Sequence, residues 1–313
     1  MGHRWQARPD ATPPDGPDPY GNPDPEWLRI DWREHRRQLE LAGSTRVNYV
    51  EMGSGPPLLL VHGLGGSWQN WLENIPHFAR SHRVIVPDLP GFGGSPTPSW
   101  RLSIRSYGQL LIDFCDALDT GPVAIVGNSM GGFIAAEVSI AARSLVSKLV
   151  LVSAAGVSHA RMYVAPAATA ARMAAAMAPL AFRFHERALR RPVLRHHVLG
   201  NLFYKPGELR QELTWEFVNA GINSPGLVGA VRGLANYDII DRLRDVDDPT
   251  LIIWGRNDLV VPAADALAYH EALSNSELVV FDRCGHLPMA ERPVRFNRLL
   301  ERFLAAEPSK RPA

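Results

Sequence analysis

Ser129 lies in the run GNSMGG at 127–132, where a serine flanked by glycines could serve as a nucleophile. A short β-branched run (122–126) precedes it and an alanine-rich run (133–138) follows, which predicts a strand that turns sharply into a helix. Such a turn holds a serine above the sheet in a strained conformation, and only small neighbours let strand and helix approach. A glycine-rich turn without chemistry has the same local pattern. A base, an acid and an oxyanion donor are therefore needed elsewhere in the chain.

Two later loops contain an acid and a base. Asp258 follows the run 249–254, and His286 follows the run 277–281, both of which have the pattern of strands. Both therefore fall at the predicted carboxyl ends of strands, as Ser129 does, and in a parallel sheet these ends share the edge where ligands bind. Histidine can take the proton of a serine hydroxyl, and a carboxylate can orient the imidazole. Each residue alone has an ordinary structural alternative, but the order serine, aspartate, histidine at one edge predicts a nucleophile, an orienting acid and a base.

The glycine-rich loop HGLGG at 62–66 follows another predicted strand. Loops of this kind leave backbone N–H groups free to donate to an anion. We expect the amides of Leu64 and Met130 to form an oxyanion hole, with a plain tight turn as the alternative. His62 is predicted to support this loop through hydrogen bonds, and Asp88 to fix the loop after the next strand.

The composition of the chain is that of a globular protein. Its 313 residues are 46% hydrophobic and 21% charged, with a net charge of +1, which gives no support for nucleic-acid binding. The two cysteines have no metal-binding or redox spacing, so neither a metal nor a cofactor is predicted. No signal-type segment and no run of 18 apolar residues is present, so no transmembrane segment is expected and a cytoplasmic location is the default prediction.

Strand and helix patterns alternate over 26–156 and 237–306, which predicts an α/β core with a mostly parallel sheet flanked by helices. An amphipathic lead-in is expected over 26–40. The intervening segment 157–236 has no strand pattern. It is predicted to be an all-helical cap over the edge of the sheet where the carboxyl ends of the strands meet. Predicted cap helices cover 165–184, 186–199, 208–220 and 225–234. The first 25 residues contain seven prolines and four aspartates, so 1–25 is predicted to be a disordered tail, and 307–313 a flexible one.

The predicted cap is basic. It contains ten arginines and lysines and four glutamates, a net charge of +6. Such a surface attracts an anionic substrate or makes peripheral contact with an anionic membrane, and a solvated helix face is the alternative. Its methionines and aromatic residues are numerous enough to line an apolar pocket. The predicted partner is therefore a small acyl ester with an apolar part, and the oligomeric state is left open.

Together these motifs resemble those of the α/β-hydrolases, in the branch of esterases, lipases and carbon–carbon hydrolases, over about residues 45–305. The resemblance rests on HGLGG at 62–66, DLPGFGGS at 88–95, GNSMGG at 127–132, GRND at 255–258 and CGHLPMAERP at 284–293. It implies an α/β-hydrolase fold with a helical cap and no cofactor. It also implies that Ser129 is the nucleophile, His286 the general base and Asp258 the orienting acid, with the oxyanion hole at Leu64 and Met130.

Departures from the family pattern narrow the expected reaction. Epoxide hydrolases and haloalkane dehalogenases use an aspartate nucleophile, so a serine at 129 disfavours both. The GNSMGG spelling is similar to that of meta-cleavage-product hydrolases, which cut a carbon–carbon bond beside a ketone. By that resemblance Arg190 or Arg191 would bind the substrate carboxylate, and Leu287, where those enzymes commonly have tryptophan, would also contact substrate. Ester hydrolysis is the first prediction, carbon–carbon hydrolysis the alternative, and a non-catalytic ligand-binding relative the least favoured.

Overall fold

The computed structural model describes residues 17–157, 190–222, 224–234 and 237–306. In these ranges eight strands form one sheet in the order β1-β2-β4-β3-β5-β6-β7-β8. The strands are β1 (Arg36–Leu41), β2 (Thr45–Met52), β3 (Pro57–Val61), β4 (Arg83–Pro87), β5 (Val123–Asn128), β6 (Val146–Val152), β7 (Thr250–Gly255) and β8 (Ser276–Phe281). Strand β2 runs antiparallel to both of its neighbours, and all other neighbouring pairs are parallel. The predicted mostly parallel sheet is confirmed.

The described α-helices are α1 (Ile75–Phe78), α2 (Ile104–Ala117), α3 (Met130–Ala141), α4 (Pro192–Leu199), α5 (Gln211–Ile222), α6 (Leu227–Leu234), α7 (Ile240–Leu243), α8 (Ala264–Ala272), α9 (Pro288–Glu291) and α10 (Pro293–Ala305). Local chemistry sets several of their ends. Helix α2 begins with a capping box in which Ser103 and Ser106 satisfy each other's backbone N–H groups. Helix α10 ends where the Lys148 ammonium donates to three terminal carbonyl oxygens at 2.5–2.9 Å. A cation at this end also complements the helix dipole.

Both faces of the sheet are buried. In β3, Leu59 and Val61 point into one core cluster, whereas Leu58 and Leu60 point into the other. Successive side chains of a strand alternate between faces, so a strand covered on both sides must be apolar throughout. This requirement explains the continuous apolar runs in the sequence. Because the strands from β3 through β5 to β8 run parallel, the carboxyl ends of β3, β5, β7 and β8 lie along one edge.

Strand β1 was not predicted from the sequence, because it begins inside the segment that was expected to be an amphipathic lead-in. Segment 26–40, predicted as an amphipathic lead-in, forms 3-10 turns at Glu26–Arg29 and Trp32–Glu34 and then enters β1. Strand β1 lies at the sheet edge with mostly exposed side chains, so it lacks the apolar alternation that identifies a half-buried strand.

The prediction of a disordered tail over 1–25 is wrong for residues 17–25. Tyr20 donates to the Glu291 carboxylate, and the Gly21 amide donates to the Glu291 carbonyl oxygen. Hydrogen bonds and a buried ion pair to the core offset the ordering entropy of this segment, and prolines lower that entropy by fixing φ. Residues 1–16 and the predicted tail at 307–313 lie outside the described residues.

The described part of the predicted cap contains helices α4, α5 and α6 and no strand. The predicted helix at 165–184 lies outside the described residues, so the domain boundaries of the cap stay a prediction. Among the helices that the structure describes, none has both the length and the apolarity needed to cross a membrane. The same residues contain no group of three histidine, cysteine, aspartate or glutamate side chains arranged to hold a metal ion.

Candidate active site

Ser129 occupies the turn between β5 and α3. Its backbone dihedral angles are φ 54° and ψ −118°, a region that costs a non-glycine residue about 1–3 kcal/mol. Neighbouring backbone groups hold it there. The Ser129 N–H donates to Val152 at 2.9 Å, and its carbonyl oxygen accepts from Phe133 at 3.1 Å and from Ala155 at 3.0 Å. The hydroxyl is thereby fixed at the carboxyl end of the central strand.

Two glycines make this turn sterically feasible. A Cβ atom on Gly127 would lie 2.2 Å from the carbonyl oxygen of Gly131, and one on Gly131 would lie 2.4 Å from that of Val61. Both distances are far inside van der Waals contact with backbone atoms, which cannot move aside without disturbing the sheet. The glycines of the GNSMGG run are therefore required by close approach of the strand and the helix.

His286 and Asp258 form a hydrogen-bonded pair on adjacent loops. The imidazole Nδ1 lies 2.8 Å from Asp258 Oδ2, and the side chains are 4% and 0% exposed. The other carboxylate oxygen accepts from the amides of Val260 (2.8 Å) and Val261 (2.9 Å). Because this carboxylate accepts the Nδ1 proton, the imidazole is held in the tautomer that leaves Nε2 available as a base.

Ser129 and His286 line the same cavity, which has a volume of about 540 Å³. Among the described residues the Ser129 hydroxyl forms no hydrogen bond with His286, a link that commonly closes only when substrate binds. The described lining comes from the sheet edge and from cap residues. It consists of Gly63, Leu64, Gly65, Gly66, Asn70, Asn128, Ser129, Ala155, Leu202, Phe217, Gly221, Leu227, Val231, Leu234, Val260, His286 and Leu287. In this described lining no arginine, lysine, aspartate or glutamate occurs.

The amides predicted to form an oxyanion hole are available. In the described part of the chain neither the Leu64 nor the Met130 N–H donates a hydrogen bond. Met130 is the first residue of α3, where the unpaired amides and the helix dipole favour negative charge. Leu64 lies in the lining of the cavity beside Ser129. Two backbone N–H groups without an acceptor are what an oxyanion hole requires, so Leu64 and Met130 stay the predicted donors.

His62 supports the glycine-rich loop, as predicted. Its Nδ1–H donates to the carbonyl oxygen of Gly63 at 2.7 Å, and its Nε2 accepts from the amide of Leu89 at 2.9 Å. Complete burial lowers the pKa of His62 to about 4, so the ring is neutral at physiological pH. With both nitrogens engaged, His62 braces the loop of Leu64 and is not a base.

Asp88 fixes the next loop, which confirms the second structural prediction. Its carboxylate accepts from the amides of Trp68 and Gly94, both at 2.8 Å, and from the Asn48 side chain at 2.7 Å. These bonds hold the loop against the strand edge, and burial raises the pKa of Asp88.

The predicted substrate contacts divide into two groups. Leu287 is 4% exposed and lines the cavity beside His286. Arg190 and Arg191 are exposed, and neither belongs to the described lining. Both precede Pro192, and the first turn of α4 faces solvent, so contact of either arginine with a substrate carboxylate stays a prediction.

Two functional features escaped the sequence reasoning. The Asn128 amide bridges the two halves of the site, donating to the carbonyl oxygens of Val152 (3.2 Å) and His286 (3.3 Å). Glu291 is fully buried behind the loop of His286 and accepts hydrogen bonds from the amides on either side of that histidine. The only local signal for Glu291 is an acid directly after the apolar run 287–290 and before Pro293.

Comparisons with known proteins agree with this geometry. The family model described as alpha/beta hydrolase fold matches residues 56–293. The chain is 32% identical over 286 residues to 2-hydroxy-6-oxo-2,4-heptadienoate hydrolase of Pseudomonas putida, covering 86% of this chain and 96% of that protein.

Solved structures extend the likeness. A variant of the meta-cleavage product hydrolase CumD superimposes with a TM-score of 0.68 at 28% identity, covering 87% of this chain and 98% of that one. A thermophilic esterase from Thermogutta terrifontis superimposes with a TM-score of 0.70 at 26% identity, covering 86% and 97%. The similar proteins therefore include both reaction types considered from the sequence.

Proposed function

The chain belongs to the α/β-hydrolase fold family, and on that premise we propose that Ser129, His286 and Asp258 hydrolyse a bond at the carbonyl carbon of a small, largely apolar substrate. The observation that carries the proposal is the 2.8 Å bond between His286 and the buried Asp258, with His286 lining the same cavity as Ser129. A non-catalytic binding protein has no need for this pairing at a strained serine.

The chemistry begins with Ser129. A serine hydroxyl is a weak nucleophile at its own pKa, so His286 Nε2 removes its proton as the oxygen attacks the carbonyl carbon. Asp258 holds the Nδ1–H and stabilises the imidazolium that forms. The proton then passes from His286 to the leaving group, and a water molecule activated by His286 releases the acid from the serine. Overall, one water is consumed, and the acyl part leaves as a carboxylic acid.

The negative charge on the carbonyl oxygen is taken by the amides of Leu64 and Met130. Loss of one such donor costs about 3 kcal/mol in related sites. The neutral His62 keeps the loop of Leu64 in place without adding a charge that would compete for the oxyanion. In this arrangement both oxyanion donors are backbone groups and need no reorganisation during the reaction.

The first candidate reaction is hydrolysis of a carbon–carbon bond in a ketonic acid. It is supported by the similarity to 2-hydroxy-6-oxo-2,4-heptadienoate hydrolase and to CumD, which reverses the order of preference that the sequence suggested. In this reaction the leaving group is a carbon atom, whose electron pair is delocalised into the neighbouring conjugated system before His286 protonates it. The GNSMGG run of this chain is compatible with carbon–carbon hydrolysis as well as with ester hydrolysis.

The second candidate is hydrolysis of a carboxylic ester with an apolar acyl group. One observation favours it: the described cavity lining is apolar apart from asparagine, serine and histidine side chains. A dienoate substrate has a carboxylate that a buried site must pair with a cation or several donors. An apolar ester needs neither, and the cavity of about 540 Å³ has room for a medium-sized acyl group.

Two substrate series separate these reactions. One is p-nitrophenyl esters from acetate to palmitate, and the other is vinylogous 1,5-diketone acids whose dienolate absorbance disappears on cleavage. Each series is run with the wild-type protein and with Ser129→Ala. Turnover of the diketone acids that Ser129→Ala abolishes supports the first candidate, and ester turnover with a chain-length optimum supports the second.

Activity retained by Ser129→Ala on either series would contradict the assignment of the nucleophile. A fluorophosphonate probe provides a substrate-independent check, because it labels a serine only when a base has activated it. Labelling of the wild type and not of Ser129→Ala is the expected result. No labelling of the wild type would support a non-catalytic binding role.

A further inference from the structure

We propose that Tyr20 and Glu291 are positioning residues for His286: an N-terminal arm, residues 17–25, supplies the hydroxyl that completes a buried carboxylate clamp behind the loop of the proposed general base. The inference rests on the proposed function, since it assigns a role relative to His286. It adds a part of the chain far from the motifs in sequence, because Tyr20 precedes Glu291 by 271 residues.

The clamp is a carboxylate with four hydrogen-bond donors. Glu291 Oε1 accepts from the amides of Gly285 (2.9 Å) and Leu287 (3.2 Å), the two neighbours of His286. Glu291 Oε2 accepts from the Tyr20 hydroxyl (2.7 Å) and from the amide of Tyr204 (2.8 Å). Four donors on two oxygens suit an ionised carboxylate, and bonds to a charged acceptor are about twice as strong as neutral ones.

The clamp sits between His286 and the described part of the cap. The His286 amide donates to the carbonyl oxygen of Leu202 at 2.8 Å, and the Lys205 amide donates to the Tyr20 hydroxyl at 2.7 Å. The Tyr20 O–H group thus donates to Glu291, while its oxygen accepts from the cap segment. A single hydroxyl joins the N-terminal arm, the cap segment and the histidine loop.

The arm has its own anchors beside the clamp. The Gly21 amide donates to the Glu291 carbonyl oxygen at 2.7 Å. Asp18 forms a largely buried ion pair with Arg292 at 3.1 Å and lies 3.8 Å from Arg295. These contacts keep Tyr20 in place when its hydroxyl is removed. A substitution at that hydroxyl therefore tests the clamp without releasing the arm.

Burial of the Glu291 carboxylate makes the loss of one of its hydrogen-bond donors costly in free energy. Glu291 is 0% exposed, and burial raises its pKa, while its hydrogen bonds act in the opposite direction. Loss of the tyrosine hydroxyl removes one of the two donors to the buried Glu291 Oε2 and weakens the hold on the loop at 285–287. A shift of His286 by a fraction of an ångström lowers the rate of proton transfer, whereas substrate binding changes far less, because most of the described cavity lining lies outside the loop at 285–287.

The test compares Tyr20→Phe with Tyr107→Phe in the full-length protein. Tyr107 is a matched control, because its buried hydroxyl donates to the Pro90 carbonyl oxygen at 2.9 Å, in a different part of the core. For each protein we would measure hydrogen exchange over residues 284–291, the melting temperature, and kcat and KM on whichever series the wild type hydrolyses.

We expect Tyr20→Phe to accelerate exchange over 284–291 and to lower kcat about tenfold with KM unchanged, since misplacement of a reacting group by about 1 Å costs about 10²-fold. Tyr107→Phe should leave both the local exchange and kcat at wild-type values. Glu291→Gln, which replaces one acceptor oxygen by a donor, should exceed Tyr20→Phe in both effects. If Glu291→Gln does not fold, Tyr20→Phe alone decides.

Wild-type exchange over 284–291 in Tyr20→Phe, or equal losses of kcat in the two tyrosine variants, would overturn the inference. These outcomes differ from a failure of the proposed function. If the wild type hydrolyses neither series and the probe does not label it, the function fails, whereas hydrogen exchange still tests the clamp.

Discussion

The turn at Ser129 and the loop at His286 are held by different physics. The turn is held by close backbone packing, since Gly127 and Gly131 permit contacts, within the turn and with the end of β3, that no side chain would allow. The loop is held by hydrogen bonds that depend on segments remote in sequence. Glu291 accepts from the loop amides and is itself held by Tyr20 and Tyr204, and the carbonyl oxygen of Leu202 accepts from the His286 amide.

This difference predicts how each half of the site fails. Steric fits are lost all at once, because an inserted methyl group displaces backbone atoms of the central strand. Hydrogen-bonded supports fail in graded steps, since each donor adds its own contribution and neighbours compensate in part. Substitutions near the nucleophile should therefore affect folding and activity together, and substitutions behind the base should affect activity before folding.

Asp258→Asn gives the largest expected effect on activity. When the amide oxygen accepts from Val260 and Val261, the NH₂ group faces Nδ1, so His286 is held in the wrong tautomer, which costs about 10⁴-fold in kcat in a triad of this kind. Stability should change far less, because those two backbone hydrogen bonds are kept. Steady-state kinetics and urea unfolding check both parts. A fall of less than tenfold would remove Asp258 from the proposed mechanism.

Gly131→Ala should disrupt the turn at Ser129 by lowering the free energy of unfolding. Its Cβ would lie 2.4 Å from the Val61 carbonyl oxygen, and overpacking against central backbone costs about 3 kcal/mol or more. Gly121→Ala is the matched control: Gly121 has a positive φ of 64°, and an added methyl group there would meet nothing within 4 Å, so only about 1 kcal/mol of backbone strain is expected. Equal unfolding free energies in the two variants would show that close approach is not what requires glycine at 131.

What the sequence could predict follows this same division. The turn at Ser129, the loop at 62–66 and the apolar strands are local patterns, and the structure confirms the fold that they indicate. The support at Glu291 was missed because its partners, Tyr20 and Tyr204, are remote in sequence and no periodicity joins them. The contacts of the arm were also missed, because its proline-rich composition predicts disorder.

The pH dependence of stability reports on two buried groups behind the site, His62 and Glu291. Burial depresses the pKa of His62 to about 4, below its ordinary value near 6.5, so the unfolded chain binds the proton first as pH falls. This group therefore stabilises the fold fully above about pH 6.5 and loses about 3 kcal/mol between there and pH 4. The raised pKa of Glu291 acts with the opposite sign, because the folded state then holds the proton more tightly.

The His62 contribution can be isolated by urea unfolding of the wild type and His62→Asn at a series of pH values from 4 to 7.5. The variant should be less stable at neutral pH, because one hydrogen bond of the ring is lost. It should also lose less stability than the wild type on acidification. Parallel pH dependences would mean that His62 has the same pKa in the folded and unfolded protein, contrary to its burial.

The smallest expected effect concerns Asn128, the side chain that belongs to both regions. It is 1% exposed, and its amide reaches the carbonyl oxygens of Val152 and His286 at 3.2 and 3.3 Å. Bonds of this length contribute modestly, so Asn128→Ala should lower the unfolding free energy by about 1–2 kcal/mol. Asn297→Ala, which removes another buried amide bonded to a backbone carbonyl, should cost a similar amount.

Activity then distinguishes these two asparagine variants. If the nucleophile turn and the base loop depend on each other, only Asn128→Ala should lower kcat, by about tenfold, because the His286 carbonyl loses the donor that ties it to the strand of Ser129. Equal kcat values in the two variants would mean that each half is positioned by its own supports alone. In that case the glycine packing on one side and the carboxylate clamp on the other are sufficient, and the contact between them is a consequence of the geometry instead of a cause.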